Sequence, residues 1–194
     1  MGRTAATGRL RIIGGTWRGR KLTVPGLAGL RPTPDRVRET LFNWLAPDIA
    51  GLRGLDLFAG SRALGFEALS RGALEMTFLD TQAEARKALR AGAEQLGAAP
   101  RILAQDALSF LAADNGRYDL VFIDPPFSAN LWGTVLSVLP PRLAPGHRVY
   151  LESPADADPL PQAGWRVLKE GRAADVAFRL LAYAPDGSTA NGEN

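Results

Sequence analysis

The chain has 194 residues, 46% hydrophobic and 22% charged, the composition of one globular domain of ordinary size with at most a small appendage. It contains no cysteine and one histidine, which excludes a disulfide framework, thiol nucleophiles and cysteine- or histidine-rich metal sites. The net charge of +3 is unevenly spread: residues 1–34 hold seven arginines and lysines and no acid, whereas the other 160 residues carry 16 basic and 20 acidic residues. The positive charge therefore concentrates in an N-terminal arm suited to neutralising phosphate.

No apolar run approaches the ~18 residues of a membrane helix, and Met1–Leu10 has no apolar export segment, so a cytoplasmic protein is expected. Arg9–Val24, RLRIIGGTWRGRKLTV, predicts a β-hairpin turning around Gly14-Gly15 and carrying Arg11, Arg18, Arg20, Lys21 and Trp17. A helix is predicted from Thr33 as N-cap, with Pro34 in the first position and Asp35 at its positive end. Val37, Leu41, Trp44 and Leu45 form its apolar face, leaving Arg36 and Arg38 free for a ligand or solvent.

From Leu55 onward strands and helices alternate. LDLF is a short strand, followed by a glycine turn over Gly60–Gly65 and a helix stopped by Gly72. MTFLD is the second strand. Thr81 and Glu84 have the spacing of a capping box for a helix that turns Ala85, Leu89, Ala93 and Leu96 inward and ends at Gly97. RILA is a third strand, DALSFLA a short helix, and YDLVFI a fourth strand, apolar enough for the buried centre of a parallel sheet. Residues 130–139 read as helix and HRVYLES as a fifth strand. Trp165–Tyr183 reads as a closing antiparallel pair around Gly171. Residues 185–194 are polar and expected to be disordered. His147 falls in a Pro-Gly-His turn and reads as a solvated loop residue. The alternation predicts an α/β, Rossmann-like, mostly parallel sheet with right-handed crossovers and a ligand at the carboxyl ends of its strands.

Four features at those ends carry chemistry. The turn Asp56–Gly65, DLFAGSRALG, brings backbone N–H groups to a ligand. The dinucleotide fingerprint needs a glycine at position 62, where this chain has arginine. That disfavours a pyrophosphate ligand and is better tolerated by S-adenosylmethionine (AdoMet), which has none. Asp80, roughly 20 residues further on, suits the two hydroxyls of a ribose. Asp106 suits an adenine amino group or, alternatively, a helix N-cap.

Asp124-Pro125-Pro126-Phe127 places a carboxylate and a rigidly held carbonyl at the end of the central strand. An exocyclic amine on a base is a poor nucleophile because its lone pair is delocalised into the ring. Two acceptors aimed at its hydrogens turn that lone pair outward, and Phe127 offers a stacking surface for an extruded base. The same arrangement serves adenine N6 or guanine N2.

These segments, together with LRPTPDRVRETLFNWL and the arginine-bearing opening RIIGGTWRGRKLTVP, resemble the bacterial ribosomal RNA guanine-N2 methyltransferases of the RsmD type. The likeness runs almost the whole length of the chain. It implies a seven-stranded AdoMet methyltransferase fold with an antiparallel C-terminal strand over residues 31–184, preceded by a basic arm over 1–30. It implies methylation of one guanine, position 966, in 16S rRNA of the small ribosomal subunit. A monomer without metal is expected. On this resemblance Asp124, Pro125, Pro126 and Phe127 carry catalysis and base placement. AdoMet is surrounded by Asp56, Phe58, Ala59, Gly60, Ser61, Gly65, Asp80, Thr81, Asp106 and Ala107. RNA is met by Arg11, Arg18, Arg20, Lys21, Arg31, Thr33, Arg36 and Arg38. Arg62 departs from the family's glycine and is expected to face solvent or the AdoMet carboxylate. Adenine-N6 methylation and a non-catalytic RNA-binding assembly factor are the alternatives.

Overall fold

The apolar run Tyr118–Ile123 is the middle of a seven-stranded sheet in the computed structural model, which describes residues 8–24, 35–60, 64–157, 159–160 and 163–185. The elements in chain order are β1 (Gly8–Arg11), β2 (Lys21–Val24), α1 (Asp35–Leu45), β3 (Arg53–Asp56), α2 (Leu64–Ser70), β4 (Glu75–Leu79), α3 (Ala83–Leu96) and β5 (Arg101–Leu103). They continue with α4 (Ala107–Ala113), β6 (Tyr118–Ile123), α5 (Trp132–Val138), β7 (Leu143–Pro154), β8 (Trp165–Ala173) and β9 (Val176–Tyr183). The large sheet has the order β5-β4-β3-β6-β7-β9-β8. Its pairings are parallel except those of β9, which opposes both β7 and β8. Strand order reverses between β3 and β6, which opens a crevice at their carboxyl ends.

Both faces of the sheet are covered, as its near-continuous apolar strands require. One layer joins Phe78, Phe122 and Tyr150 of the strands to Leu41, Phe42 and Phe66 of α1 and α2. The other packs Val121, Ile123 and Val149 against Phe110 of α4 and Trp132, Val135 and Leu136 of α5. Within the described residues, no helix is long and apolar enough to cross a membrane.

The predicted hairpin forms as β1 and β2 in antiparallel register, and it is not a free arm. Leu10, Ile12 and Leu22 belong to the core layer under α1. Ile13 and Gly14 donate their N–H groups to Glu67 Oε2 and Oε1, each at 2.8 Å. Thr16 N–H bonds the Ser70 carbonyl at 2.7 Å, and Trp17 N–H bonds Ser70 Oγ at 2.9 Å. Gly15 has φ +74°, and a Cβ there would stand 1.8 Å from the Ser70 carbonyl oxygen. The loop thus covers the C-terminal end of α2, where orphan carbonyls need donors.

Several local expectations are corrected. The capping box at Thr81 and Glu84 does not form: α3 has Gln82 at its N-cap with no side-chain bond, and Asp80 Oδ1 accepts Gln82 N–H instead. The helix read over residues 130–139 spans Trp132–Val138 and follows a 3₁₀ turn at Phe127–Ala129. The closing pair turns at Ala174, φ +50°, and Gly171 lies inside β8, where a Cβ would meet the Phe178 ring at 2.3 Å. His147 is not a solvated loop residue. It is buried in β7, with Nδ1 bonding the Ala144 carbonyl at 2.7 Å and Nε2 accepting from Tyr183 N–H at 2.9 Å. Thr33 and Pro34 lie outside the described residues.

Candidate active site

The crevice between the carboxyl ends of β3, β4, β5 and β6 is a cleft of about 410 Å³, within the range of small-molecule sites. Asp80 stands at its polar end. Gly60 N–H donates to Asp80 Oδ2 at 2.8 Å and Gln82 N–H to Oδ1 at 2.7 Å. Both oxygens are thereby fixed, and each keeps acceptor capacity for a diol in the cleft. Gly60 has φ +44°, a left-handed conformation that glycine takes without strain.

Apolar walls come from Leu57, Phe58, Leu79 and Leu108. Asp106, at the far side, is the N-cap of α4: Oδ1 accepts Ser109 N–H at 3.0 Å. That bond lowers the carboxyl below its ordinary pKa, so the carboxylate stays charged beside the cleft. A carboxylate with both oxygens fixed, apolar walls and a second carboxylate are the groups that a ribose and an adenine call for.

The cleft brings together Phe58, Gly60, Asp80, Thr81, Asp106, Ala107, Asp124 and Pro126. Asp56 and Ala59 are buried behind it. Gly65, expected to meet the cofactor, does not line the cleft. It packs against β4, where a Cβ would stand 2.1 Å from the Phe78 ring, so its glycine serves close helix–strand packing. Ser61 and Arg62 lie outside the described residues. Gln82, Gln105, Ala129 and Leu131 also line the cleft and were missed. Gln82 and Gln105 stand next to recognised acids, and that adjacency was the available signal.

Asp124 is buried at the end of β6 and reaches the cleft. Pro125 is buried behind it, and Pro126 begins the 3₁₀ turn that holds Phe127. Phe127 is 37% exposed, and its ring lies 5.9 Å from the Trp132 ring. Trp132 is itself fixed by donating Nε1–H to the Glu152 carbonyl at 2.7 Å. The exposed Phe127 therefore rests on a buried, hydrogen-bonded tryptophan.

Of the basic residues expected to meet RNA, Arg11, Arg18, Arg20, Lys21 and Arg36 are exposed; Arg31 and Thr33 are outside the described residues. Arg38 is a correction. Its side chain is 0% exposed, bonds Asp35 Oδ1 at 2.7 Å and the Arg11 carbonyl at 2.9 Å, and lies 3.9 Å from Glu67. It is a buried strut between α1, α2 and the hairpin, and cannot touch RNA. Glu67 is equally buried and takes Arg71 Nε–H at 2.8 Å besides the two hairpin amides. The hairpin's anchor, Glu67 with Ser70, was missed because nothing local marks a helical glutamate as the partner of amides 53 and 54 residues away.

A Rossmann-like sheet with one opposed C-terminal strand, and a carboxylate-ended cleft at its switch point, define an AdoMet-dependent methyltransferase. Residues 10–182 match the model of the family described as conserved hypothetical protein 95, and the chain belongs to that family. It is 43% identical over 189 residues to ribosomal RNA small subunit methyltransferase D of Escherichia coli strain K12, covering 95% of this chain and 96% of that protein. Against the protein of the same name from Haemophilus influenzae it is 42% identical over 182 residues, covering 90% and 94%. The solved structure of yhhF from Escherichia coli superposes with a TM-score of 0.81 at 43% identity, covering 92% of this chain and 100% of that one.

Proposed function

We propose that this protein methylates the exocyclic N2 of a guanine in 16S rRNA of the small ribosomal subunit, in the cytoplasm and as a monomer. The observation that carries the reading is Asp124: a buried carboxylate, backed by Pro125, opening into the same cleft as the diol-binding Asp80. Bound AdoMet supplies an electrophilic methyl group on its sulfonium. The Asp124 carboxylate and the Pro125 carbonyl accept the two hydrogens of the guanine amine, so its lone pair leaves the ring plane and faces that methyl. Burial strengthens both hydrogen bonds by excluding competing water. Phe127 stacks on the extruded base, and the exposed arginines of the hairpin and α1 hold the RNA backbone. The relatives named for small-subunit rRNA methylation support the substrate class.

The test is transfer of labelled methyl from AdoMet to small subunits that lack the modification. The wild-type chain is expected to label 16S rRNA. Asp124→Ala is expected to lose transfer by at least about 100-fold while binding AdoMet as before. Transfer by Asp124→Ala at the wild-type rate would refute the assigned role.

A further inference from the structure

A second concavity lies outside the methyl-transfer cleft, between α1 and the β8–β9 hairpin, with a volume of about 230 Å³. Its floor is aromatic: Trp44 stacks on Phe178 with centroids 5.4 Å apart and ring planes 27° from parallel. Gly171 makes that floor possible, since a Cβ there would strike the Phe178 ring. Its rim carries two cations: Arg36 on α1 and Arg172 on β8 are exposed. Among the described residues the one acid in the lining is Glu170, 3.8 Å from Arg172 and 3.4 Å from the buried Arg179. Two guanidiniums to one carboxylate leave the lining positive.

Strand register relates this groove to the reaction centre. Ile123 pairs with Leu151, so Asp124 falls level with Glu152; Glu152 pairs with Phe178, and Phe178 with Gly171. Phe178 is thus two strands from Asp124, roughly 10 Å at the usual spacing between strands. An RNA strand whose target base sits at Asp124 has its neighbouring nucleotides at that distance. Flat rings with a cationic rim are the combination that holds single-stranded nucleic acid by stacking and phosphate contact.

We propose that the groove between α1 and β8–β9, with Arg172 and Arg36 on its rim and Trp44 over Phe178 as its floor, holds single-stranded RNA flanking the methylated base. The assignment rests on the proposed rRNA methyltransferase function.

The test measures equilibrium binding of protein-free 16S rRNA as a function of salt, for Arg172→Ala and for Thr40→Trp, which fills the groove from α1. Both variants are expected to bind on the order of tenfold more weakly. Arg172→Ala is also expected to flatten the slope of log affinity against log salt by about 0.7, the loss of one single-strand phosphate contact. Unchanged AdoMet binding, by calorimetry, certifies that both variants are folded. Wild-type affinity and slope in both would overturn the proposal. So would a loss seen only on intact subunits, which would assign the groove to a ribosomal protein. Methyl transfer by the wild-type chain, measured in parallel, separates this outcome from failure of the functional reading: a chain that binds rRNA through the groove but transfers nothing would sink the latter alone.

Discussion

Replacing Glu67 by alanine tests whether the basic hairpin is part of the folded body. Glu67 accepts two backbone amides from the hairpin and the Arg71 Nε–H, each at 2.8 Å, and faces the fully buried Arg38 at 3.9 Å. Among the described residues, truncation leaves the Arg38 charge with Asp35 as its remaining acid partner and two amides without their acceptor. Breaking a buried ion pair from one side costs about 3–5 kcal/mol, and each hydrogen bond to a charged group about 1.5–3 kcal/mol. These contributions overlap, so a loss of about 4–5 kcal/mol is expected, a large part of the ~5–15 kcal/mol that stabilises a domain. Urea denaturation measures it. Hydrogen exchange locates it, with the Ile13 and Gly14 amides losing protection first. The double variant Arg38→Met, Glu67→Ala is expected to recover part of the loss, because it removes the uncompensated charge as well. A cost for Glu67→Ala below about 1 kcal/mol, or a double variant no better than the sum of the singles, would refute the strut.

Three further outcomes follow from the geometry. Gly15→Ala is expected to destabilise the protein by about 2–4 kcal/mol, since φ is +74° and the new methyl would overlap the Ser70 carbonyl; thermal unfolding reads this directly. Asp80→Ala is expected to weaken AdoMet binding by on the order of 100-fold, the loss of charge-assisted bonds to a diol, as measured by titration calorimetry. His147 makes stability pH-dependent. Burial lowers its pKa below the ordinary 6.5, and Nε2 must stay unprotonated to accept Tyr183 N–H. The unfolded chain then binds the proton first, so stability is constant above about pH 6.5 and falls as pH drops from there through the lower folded value. Denaturation midpoints between pH 5 and 8 are expected to show that fall in the wild type, with a shallower one in His147→Gln.

Where function is written as short-range pattern, the sequence was legible. The strand YDLVFI has the bounds read from its apolar run, because a doubly covered central strand must be apolar and the prolines after Asp124 must end it. Asp80 and Asp124 line one cleft, because the doubly wound topology collects strand ends at one edge. What stayed hidden depends on contacts distant in sequence. Arg38 looks like any exposed helical arginine until Glu67 and the Arg11 carbonyl are brought to it. His147 sits in a turn-like tripeptide, yet the pairing of β7 with β9 buries it against Tyr183. Thr81 and Glu84 have capping-box spacing, but the preceding Asp80 already binds the Gln82 amide at the start of the helix.

The central claim is the identity of the methylated atom. Small subunits lacking the modification, incubated with the protein and AdoMet, can be digested to nucleosides and analysed by mass spectrometry, with nuclease mapping of the modified position. The account predicts N2-methylguanosine as the single new product, at one position of 16S rRNA, and its disappearance with Asp124→Ala. N6-methyladenosine, or a product that persists without the Asp124 carboxylate, would contradict it.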